Sequence, residues 1–478
     1  MKHLRVELLR TKRSAAGYMP LVGLALGLVA VAFSTAARLN GNLYLLLGWQ
    51  ALYVTGLAAP LMALLAGLVA TRESAAREGG TLWRDVPHAA TITARMIVLA
   101  LLSLVFHVLC YGVIALVALS SGFPDALATV SVVAVVSWAA SLGLVIPAYA
   151  LTTGIGLLPT LVIAMIWQVI GTMTAEASWW PLSPPAWAVH AMLPMLRIHA
   201  NAVPLEPGAS LLSDSPVPAI AFGLILAILA TGVVARLMLA RGRAALPNAG
   251  TFGRAGRAAA RRSVRGGAIG AIHLGIAHRG LGVLSWLALA VLTAAAALYD
   301  SGTVDGFYTF AILPLGATLL AVIAWAALKD PWWTLVLTGR PVTRALIFRL
   351  SLHVVFLSSV TAILLILTRG PVTATSLATH FLLWVLTGSV MVLLVLTLSI
   401  RYGIGVALAV GLIWTVLALT IGGDVLAETP LWITALPAWA DAANTPARTG
   451  VATLVSLVLI GILTATTRRA LRRHVARA

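Results

Sequence analysis

Charged residues are scarce in this chain, and their scarcity excludes an ordinary soluble fold. Only 10% of the 478 residues are Asp, Glu, Lys or Arg, whereas about a quarter is usual in soluble domains. Hydrophobic residues make up 60% of the chain. A soluble protein cannot bury that much apolar surface, so the sequence predicts an integral membrane protein.

Cysteine and lysine are nearly absent, which removes several kinds of chemistry. Cys110 is the only cysteine, so an internal disulfide is impossible, and no Cys and His spacing typical of a metal site occurs. The three lysines, Lys2, Lys12 and Lys329, do not follow a Gly-x-x-x-x-Gly phosphate loop. The chain is therefore not its own ATPase of that type. We expect it to be no enzyme and to bind no cofactor.

Apolar residues are concentrated in twelve blocks. Each block is about 18 to 28 residues long, which lets a helix cross a hydrocarbon core of about 30 Å. The sequence therefore predicts an all-α polytopic membrane protein with about 12 transmembrane helices, at residues 18–37, 44–70, 95–119, 126–150, 154–175, 217–239, 281–299, 307–328, 345–367, 374–399, 403–421 and 450–467.

The basic residues indicate the orientation, because Lys and Arg stay on the cytoplasmic side during insertion. With a cytoplasmic N-terminus, only four of the 32 basic residues fall outside, namely Arg38, Arg197, Arg369 and Arg448. Both termini are then cytoplasmic. Topology and contact with anionic lipid account for the net charge of +18, so nucleic acid is not an expected partner.

Short motifs recur along the chain and indicate a duplication. Six spans in each half would keep the two copies in the same orientation, as in a parallel repeat. The sequence predicts two parallel six-helix repeats, at 1–240 and 279–478, joined by a basic cytoplasmic linker at 241–278. The motif pairs are Pro60-Leu61 with Pro314-Leu315, Pro87 with Pro341, Arg95 with Arg349, and Pro185-Ala186-Trp187-Ala188 with Pro437-Ala438-Trp439-Ala440.

Two further segments each allow two interpretations. The basic N-terminus places Leu4 and Leu8 on one helical face, so it is either an amphipathic interfacial helix or only a topogenic charge cluster. The outside loops are rich in Trp, which is typical of an interfacial aromatic belt. Stacking of a substrate on these rings is the less favoured alternative.

The spans offer little for coupling to an ion gradient. Proton or sodium coupling usually requires a carboxylate inside the membrane, but the fourteen acidic residues lie in loops or at span ends. His107, His353 and His380 lie within or beside spans at positions that do not match between the halves. We interpret them as packed neutral groups rather than a proton relay.

Two segments carry a resemblance to a known family. The run Glu7-Leu8-Leu9-Arg10-Thr11-Lys12-Arg13-Ser14 precedes the first span, and Glu73, Glu78, Gly80-Thr81-Leu82, Pro87 and Arg95 follow the second. This pattern resembles the permease subunits of type-2 ATP-binding-cassette exporters, particularly the bacterial lantibiotic-immunity and antibiotic-export branch. The first half matches well and the second loosely, because Pro331-Trp332-Trp333 replaces the acidic segment.

The resemblance implies two fused permease halves in the bacterial cytoplasmic membrane, served by two copies of a separate ATPase subunit that holds ATP and Mg. A hydrophobic or amphipathic cargo, such as a peptide antibiotic, a drug or a lipid, would be exported. Pro60 and Pro314 are candidates for bends in the second and eighth spans. The loops after these spans would couple to the ATPase through Glu73, Arg77, Glu78, Gly80, Pro87, Lys329, Asp330, Arg340 and Pro341.

Two other classes remain open. The first is an ion-coupled secondary transporter of two six-span halves, which the missing intramembrane carboxylate disfavours. The second is a membrane-embedded enzyme acting on lipid-linked substrates. Its acidic residues would be among Glu176, Glu206, Asp214, Asp424, Glu428 and Asp441, which show neither metal-like nor paired spacing.

Overall fold

A computed structural model describes most of the chain as two compact helical units. The units are Met1–Pro247 and Asn248–Ala478, and their boundary falls within the predicted linker, most of which lies outside the described residues. The regular structure of the described residues is helical, apart from one isolated bridge between Ile198 and Pro204. These residues are 2–12, 14–36, 42–78, 88–244, 289, 292–293, 304–306, 308–337, 341–368, 374–422 and 425–475.

The first unit is built mainly from long apolar helices joined by short ones. A π-helix, Leu52–Leu57, runs directly into the fifth α-helix, and 3₁₀ turns occur at Trp180–Leu182 and Ser210–Ser213. Its α-helices are α1 (Lys2–Thr11), α2 (Ala15–Tyr18), α3 (Pro20–Ala36), α4 (Leu43–Gly48), α5 (Ala58–Glu78), α6 (His88–Ser120), α7 (Ala126–Ile155), α8 (Leu157–Thr174), α9 (Ala186–His190), α10 (Leu193–Leu196) and α11 (Val217–Ala244).

The second unit has the same kinds of element. A π-helix, Tyr308–Ile312, again runs directly into an α-helix, and three 3₁₀ turns, Val425–Glu428, Pro430–Thr434 and Leu436–Ala438, precede the last two helices. Its α-helices are α12 (Leu313–Leu328), α13 (Trp332–Leu337), α14 (Val342–Thr368), α15 (Ala374–Tyr402), α16 (Ile404–Gly422), α17 (Trp439–Ala442) and α18 (Pro446–Val475).

The length and apolarity of the helices confirm the predicted fold class. Within the described ranges, ten helices are long and apolar enough to cross a membrane. The span predicted at 403–421 falls on the apolar helix α16, and the span predicted at 281–299 lies almost wholly outside the described residues. The protein is an all-α polytopic membrane protein, while the number of twelve spans stays a prediction.

Each unit is organised around one central helix. In the first unit α5, α6, α8 and α11 pack against α7, and α3 packs against α6. Glycines allow the closest approach, because a Cβ at Gly23 or Gly27 of α3 would come within 2.3 Å of a carbonyl oxygen of α6. Such small-residue contacts are typical of helices packed in lipid. In the second unit α15 contacts α12, α14, α16 and α18.

The two ends of each unit differ in composition. We call the end that carries Arg10 and Arg72 in the first unit, and Lys329 and Arg472 in the second, the basic end. We call the opposite end the Trp-rich end, because Trp180 and Trp187 in the first unit, and Trp432 and Trp439 in the second, lie there.

Candidate functional site

A buried carboxylate organises the basic end of the first unit. Glu7 of α1 is only 1% exposed, and its oxygens lie 3.2 Å from Arg10 Nη1 and 3.6 Å from Arg95 Nε. Arg72 Nη2 donates a short hydrogen bond to the same carboxylate. We call these four residues the Glu7 cluster. One acidic and three basic side chains are thus brought together from α1, α5 and α6.

Neutral side chains extend the Glu7 cluster to a fourth helix. Arg72 Nη1 donates to Thr11 Oγ1 at 3.2 Å, and Arg95 Nη1 donates to the hydroxyl of Tyr149 on α7 at 3.3 Å. Because an ionised group in a dry site is costly without partners, these contacts hold the four helices in one arrangement.

Burial of Glu7 alters the interpretation of the N-terminal segment. The segment is a helix, as the amphipathic interpretation requires, but Leu8 is exposed, and the buried side of α1 is formed by Glu7 and Thr11. The apolar face expected from Leu4 and Leu8 is therefore not the face that packs on the protein.

The Glu7 cluster lies on both sides of the first predicted coupling loop. Arg72 lies near the C-terminal end of α5, and Arg95 lies in the second turn of α6. Helix α5 continues through Glu73 and Arg77 to Glu78, so this part of the predicted loop extends the span. The side chains of Glu73, Arg77 and Glu78, and the whole of Gly80 and Pro87, lie outside the described residues.

The second predicted coupling loop contains a short anchored helix, α13. Trp332 at its start is fully buried and packs against Trp325 of α12, with ring centroids 5.9 Å apart. Trp325 in turn contacts His474 of α18, whose Nε2 lies 3.5 Å from the backbone oxygen of Lys329. The position of α13 is therefore fixed by two of the long helices.

Helix α13 presents an exposed apolar surface. Trp333 is 51% and Leu337 is 71% exposed, and Val336 beside them is also exposed. Positions three and four apart share one helical face, so the three side chains form one surface, which we call the α13 face. The sequence predicted the charged and flanking residues of this loop as coupling residues, and Trp333 was named only as part of the run that replaces the acidic segment. The signal of the α13 face was an apolar run inside a loop predicted to be cytoplasmic.

The charged and flanking residues predicted for this loop contribute less structure. Lys329 and Asp330 form an exposed ion pair at 4.0 Å in the turn before α13, and Pro341 is exposed just before α14. Arg340 lies outside the described residues. Among the described residues, the buried Nε of Arg349, the counterpart of Arg95, has no hydrogen-bond partner.

Both candidate bends follow a local change of helix type. The π-helix Leu52–Leu57 ends three residues before Pro60, and the π-helix Tyr308–Ile312 ends two residues before Pro314. Proline has no backbone N–H, and its ring collides with the carbonyl four residues earlier. A wider turn relieves that collision, which explains why both units contain a π-helix at the same place.

In the first unit, side chains of α8 satisfy the backbone groups at the break. Gln168 Oε1 accepts from the Ala59 N–H at 2.8 Å, and its Nε2 donates to the Val54 oxygen at 3.0 Å. Thr172 Oγ1 donates to the Thr55 oxygen at 2.7 Å. Lipid cannot replace such hydrogen bonds. Sequence reasoning missed Gln168, although it is the one amide side chain in the apolar block 154–175.

The histidines of the spans share one hydrogen-bonding pattern. Nδ1 of His107, His353 and His380 each lies 2.7 to 3.0 Å from the carbonyl oxygen four residues earlier. His107 Nε2 is also bonded to the Tyr53 hydroxyl at 3.0 Å. These partners explain how an imidazole is accommodated among apolar helices.

At the Trp-rich end of the first unit, His199 is held between two carboxylates. Its Nδ1 lies 2.8 Å from Glu176 and its Nε2 lies 3.0 Å from Glu206. The hydrogen bonds to Glu176 and Glu206 raise the pKa of His199 above its ordinary value. The hydrogen bond from His199 lowers the pKa of Glu206. When it is protonated, His199 forms ion pairs with both carboxylates and links the two segments that carry them.

The other acidic residues named for an enzymatic role are separate. Asp214 lies 3.9 Å from His190, Glu428 lies in a 3₁₀ turn, and Asp424 is outside the described residues. Burial raises the pKa of the Asp441 carboxyl, and the negative charge of Asp305 adds to the rise. In the described part of the chain, no group of three His, Cys, Asp or Glu side chains is arranged to hold a metal ion.

Comparison with known proteins identifies no relative of this chain. No protein-family model matches the chain, and neither a curated protein nor a solved structure matches it.

Proposed function

We propose that this chain is the permease subunit of an exporter of the ATP-binding-cassette type, driven by a separate ATPase bound in two copies. The observation that carries the proposal is the α13 face, an exposed apolar surface on a short helix that Trp332 anchors at the basic end. An exposed apolar patch marks a surface that another molecule covers. Because α13 lies between α12 and α14 in the chain, a displacement of α13 by that molecule moves both spans.

The Glu7 cluster supports the same role for the first unit. Arg72 and Arg95 lie on either side of the loop at 73–87, and both contact the Glu7 carboxylate. A displacement of that loop therefore moves α1, α5 and α6 together. Tyr149 passes the displacement to α7, the central helix of the unit.

The π-helices are the points at which a membrane-spanning helix can bend. The segment before Pro60 is a π-helix, and Gln168 and Thr172 add side-chain hydrogen bonds to its backbone groups. Two arrangements of these few bonds are enough to let α5 bend against α8. The corresponding break before Pro314 gives the second unit the same freedom.

The chemistry of the spans supports ATP, and not an ion gradient, as the energy source. In their described parts, acidic side chains lie at the ends, whereas ion-coupled carriers usually place a carboxylate within the membrane. ATP and Mg would therefore bind the partner ATPase. The basic end would face the cytoplasm of a bacterial cell, according to the distribution of Lys and Arg. The apolar spans suit a hydrophobic or amphipathic cargo, for example a peptide antibiotic, a drug or a lipid.

Replacing Glu73 and Glu78 together tests the proposal. We expect the Glu73→Gln/Glu78→Gln variant to insert and remain stable but to lose stimulation of the partner ATPase and export. Normal ATPase stimulation by this variant would contradict the assignment of the first coupling loop. Transport that survives removal of ATP but stops when the proton gradient is collapsed would favour an ion-coupled carrier.

A further inference from the structure

An apolar groove lies at the Trp-rich end of the second unit, between α16 and α18. Both helices pack on α15, and the space between them has a volume of about 480 Å³, within the range of ligand pockets. Four positions on one face of α16 and two on α18 form its walls, and residues from the segment 433–439 form its roof. The wall residues are Val410, Ile413, Trp414, Ile421, Val455 and Leu459.

The polar groups of the groove are already hydrogen-bonded within the protein. Trp414 Nε1 donates to the Thr434 oxygen and Trp439 Nε1 donates to the Trp432 oxygen, both at 3.0 Å. The Thr434 hydroxyl donates to the Leu431 oxygen at 2.7 Å. The surface left for an occupant is almost entirely carbon, so the groove recognises hydrocarbon and not a polar headgroup.

The surroundings of the groove indicate where an occupant comes from. On α18, Leu454, Val458 and Ile462 stand beside the wall residues Val455 and Leu459 and are 65%, 52% and 54% exposed. Exposed apolar side chains on a membrane-spanning helix face lipid. The groove therefore opens towards the acyl chains of the leaflet at the Trp-rich end.

The first unit has an aromatic contact at the repeat counterpart of Trp439. Trp187, the repeat counterpart of Trp439, lies with its ring centroid 5.3 Å from that of Phe222. Phe222 is the sixth residue of α11, whereas the sixth residue of α18 is the smaller Val451. In the described part of the second unit, Trp439 packs instead against Trp432, with ring centroids 6.2 Å apart.

We infer that the groove between α16 and α18 binds one acyl chain of a bilayer phospholipid from the leaflet at the Trp-rich end. The acyl chain lies between the aliphatic walls, and its terminal methyl lies deeper in the membrane than the rings of Trp414 and Trp439. The headgroup of the lipid stays at the interface. Arg448, whose guanidinium lies 5.2 Å from the centroid of the Trp432 ring, provides positive charge at the same end of the unit. This inference does not depend on the proposed export function.

A photoreactive phospholipid tests the inference. The full chain is reconstituted in vesicles that contain a phospholipid with a diazirine near the end of one acyl chain, and crosslinked residues are mapped after irradiation. We expect labelling of Val410, Ile413, Val455 and Leu459 to exceed that of Leu454 and Val458 by about tenfold, and excess unlabelled phospholipid to reduce it. Equal labelling of both sets of residues would overturn the inference.

Two matched variants separate a specific site from general contact with lipid. Val455→Trp fills the groove, whereas Leu454→Trp adds the same side chain on the adjacent lipid-facing surface. We expect Val455→Trp to lower labelling of Val410 and Ile413 by about tenfold, and Leu454→Trp to leave it unchanged. An equal loss in both variants, or labelling that free fatty acid competes for but phospholipid does not, would also contradict the proposal. The residue map of the wild-type protein remains decisive if Val455→Trp does not fold.

Discussion

The carboxylate of Glu7 lies 3.6 Å from Nε of Arg95, and both side chains are buried. The two residues come from helices that precede and follow the loop at 73–87. This pair makes the N-terminal helix part of the structural core of the basic end. Three guanidinium groups, those of Arg10, Arg72 and Arg95, contact the Glu7 carboxylate.

Neutralising Glu7 should destabilise the first unit. Glu7→Gln removes the carboxylate that Arg72 and Arg95 contact in a largely dry site, and breaking a buried ion pair typically costs about 3–5 kcal/mol. We expect a clear fall in the unfolding temperature of the purified protein in detergent. Asp125→Asn serves as the control, because Asp125 is an exposed carboxylate at the start of α7. An equal effect of both substitutions would argue against a structural role for the cluster.

Gln168 and Pro60 should be energetically coupled. Gln168→Leu leaves the Ala59 N–H and the Val54 carbonyl without their partner, at about 1–3 kcal/mol for each buried group. Pro60→Ala permits a regular helix, in which those backbone groups can bond within α5. A double-mutant cycle should therefore show that Gln168→Leu costs less in the Pro60→Ala background, by at least about 1 kcal/mol. Strictly additive unfolding free energies would show that Gln168 does not act on the break.

The α13 face should determine binding of a partner at the basic end. Trp333→Ser removes an exposed ring, so the fold should persist, while the affinity for the partner ATPase should fall by about 2 kcal/mol, roughly thirtyfold. Trp179→Ser is the matched control, because Trp179 is 52% exposed but lies at the Trp-rich end. Binding is measured by titrating the ATPase onto the protein in nanodiscs. Equal affinities for the two variants would exclude the α13 face as the docking surface.

The loop held by His199 should loosen as the pH rises. The pKa of His199 is raised above 6.5 in the folded protein, so its contribution is complete below pH 6.5 and disappears as the pH rises through the raised pKa. Hydrogen exchange at the Ala200 N–H, which donates to Glu176, should be better protected at about pH 5.5 than at about pH 8.5, after correction for intrinsic rates. His199→Gln should abolish the difference. A pH-independent protection factor in the wild type would contradict this account.

Composition and periodicity predicted the fold class because the length of each apolar block follows directly from the thickness of a bilayer. Pro60 and Pro314, which the sequence named as candidates for bends, each follow a π-helix. The π-helices themselves could not be predicted, because a proline permits a kink, a wide turn or a helix end.

The contacts of the candidate site were less accessible from sequence. Glu7 was named only through the resemblance, and Arg95 through the resemblance and its repeat with Arg349. Their pairing with Arg72 depends on how α1 lies against α6, which no local pattern specifies. Gln168 lies more than a hundred residues from Ala59, so only the tertiary fold shows that it replaces a helical hydrogen bond. The α13 face was not predicted, because the charged residues Lys329 and Asp330, and not Trp333, were chosen as coupling residues.

Affinity purification of the tagged chain from its native membranes tests the central claim most directly. Gentle detergent and mass spectrometry of the bound proteins should recover an ATP-binding-cassette ATPase at two copies per chain, and Trp333→Ser should lower its yield while Trp179→Ser does not. A chain that purifies alone under the same conditions, with transport that follows the proton gradient instead of ATP, would contradict the account.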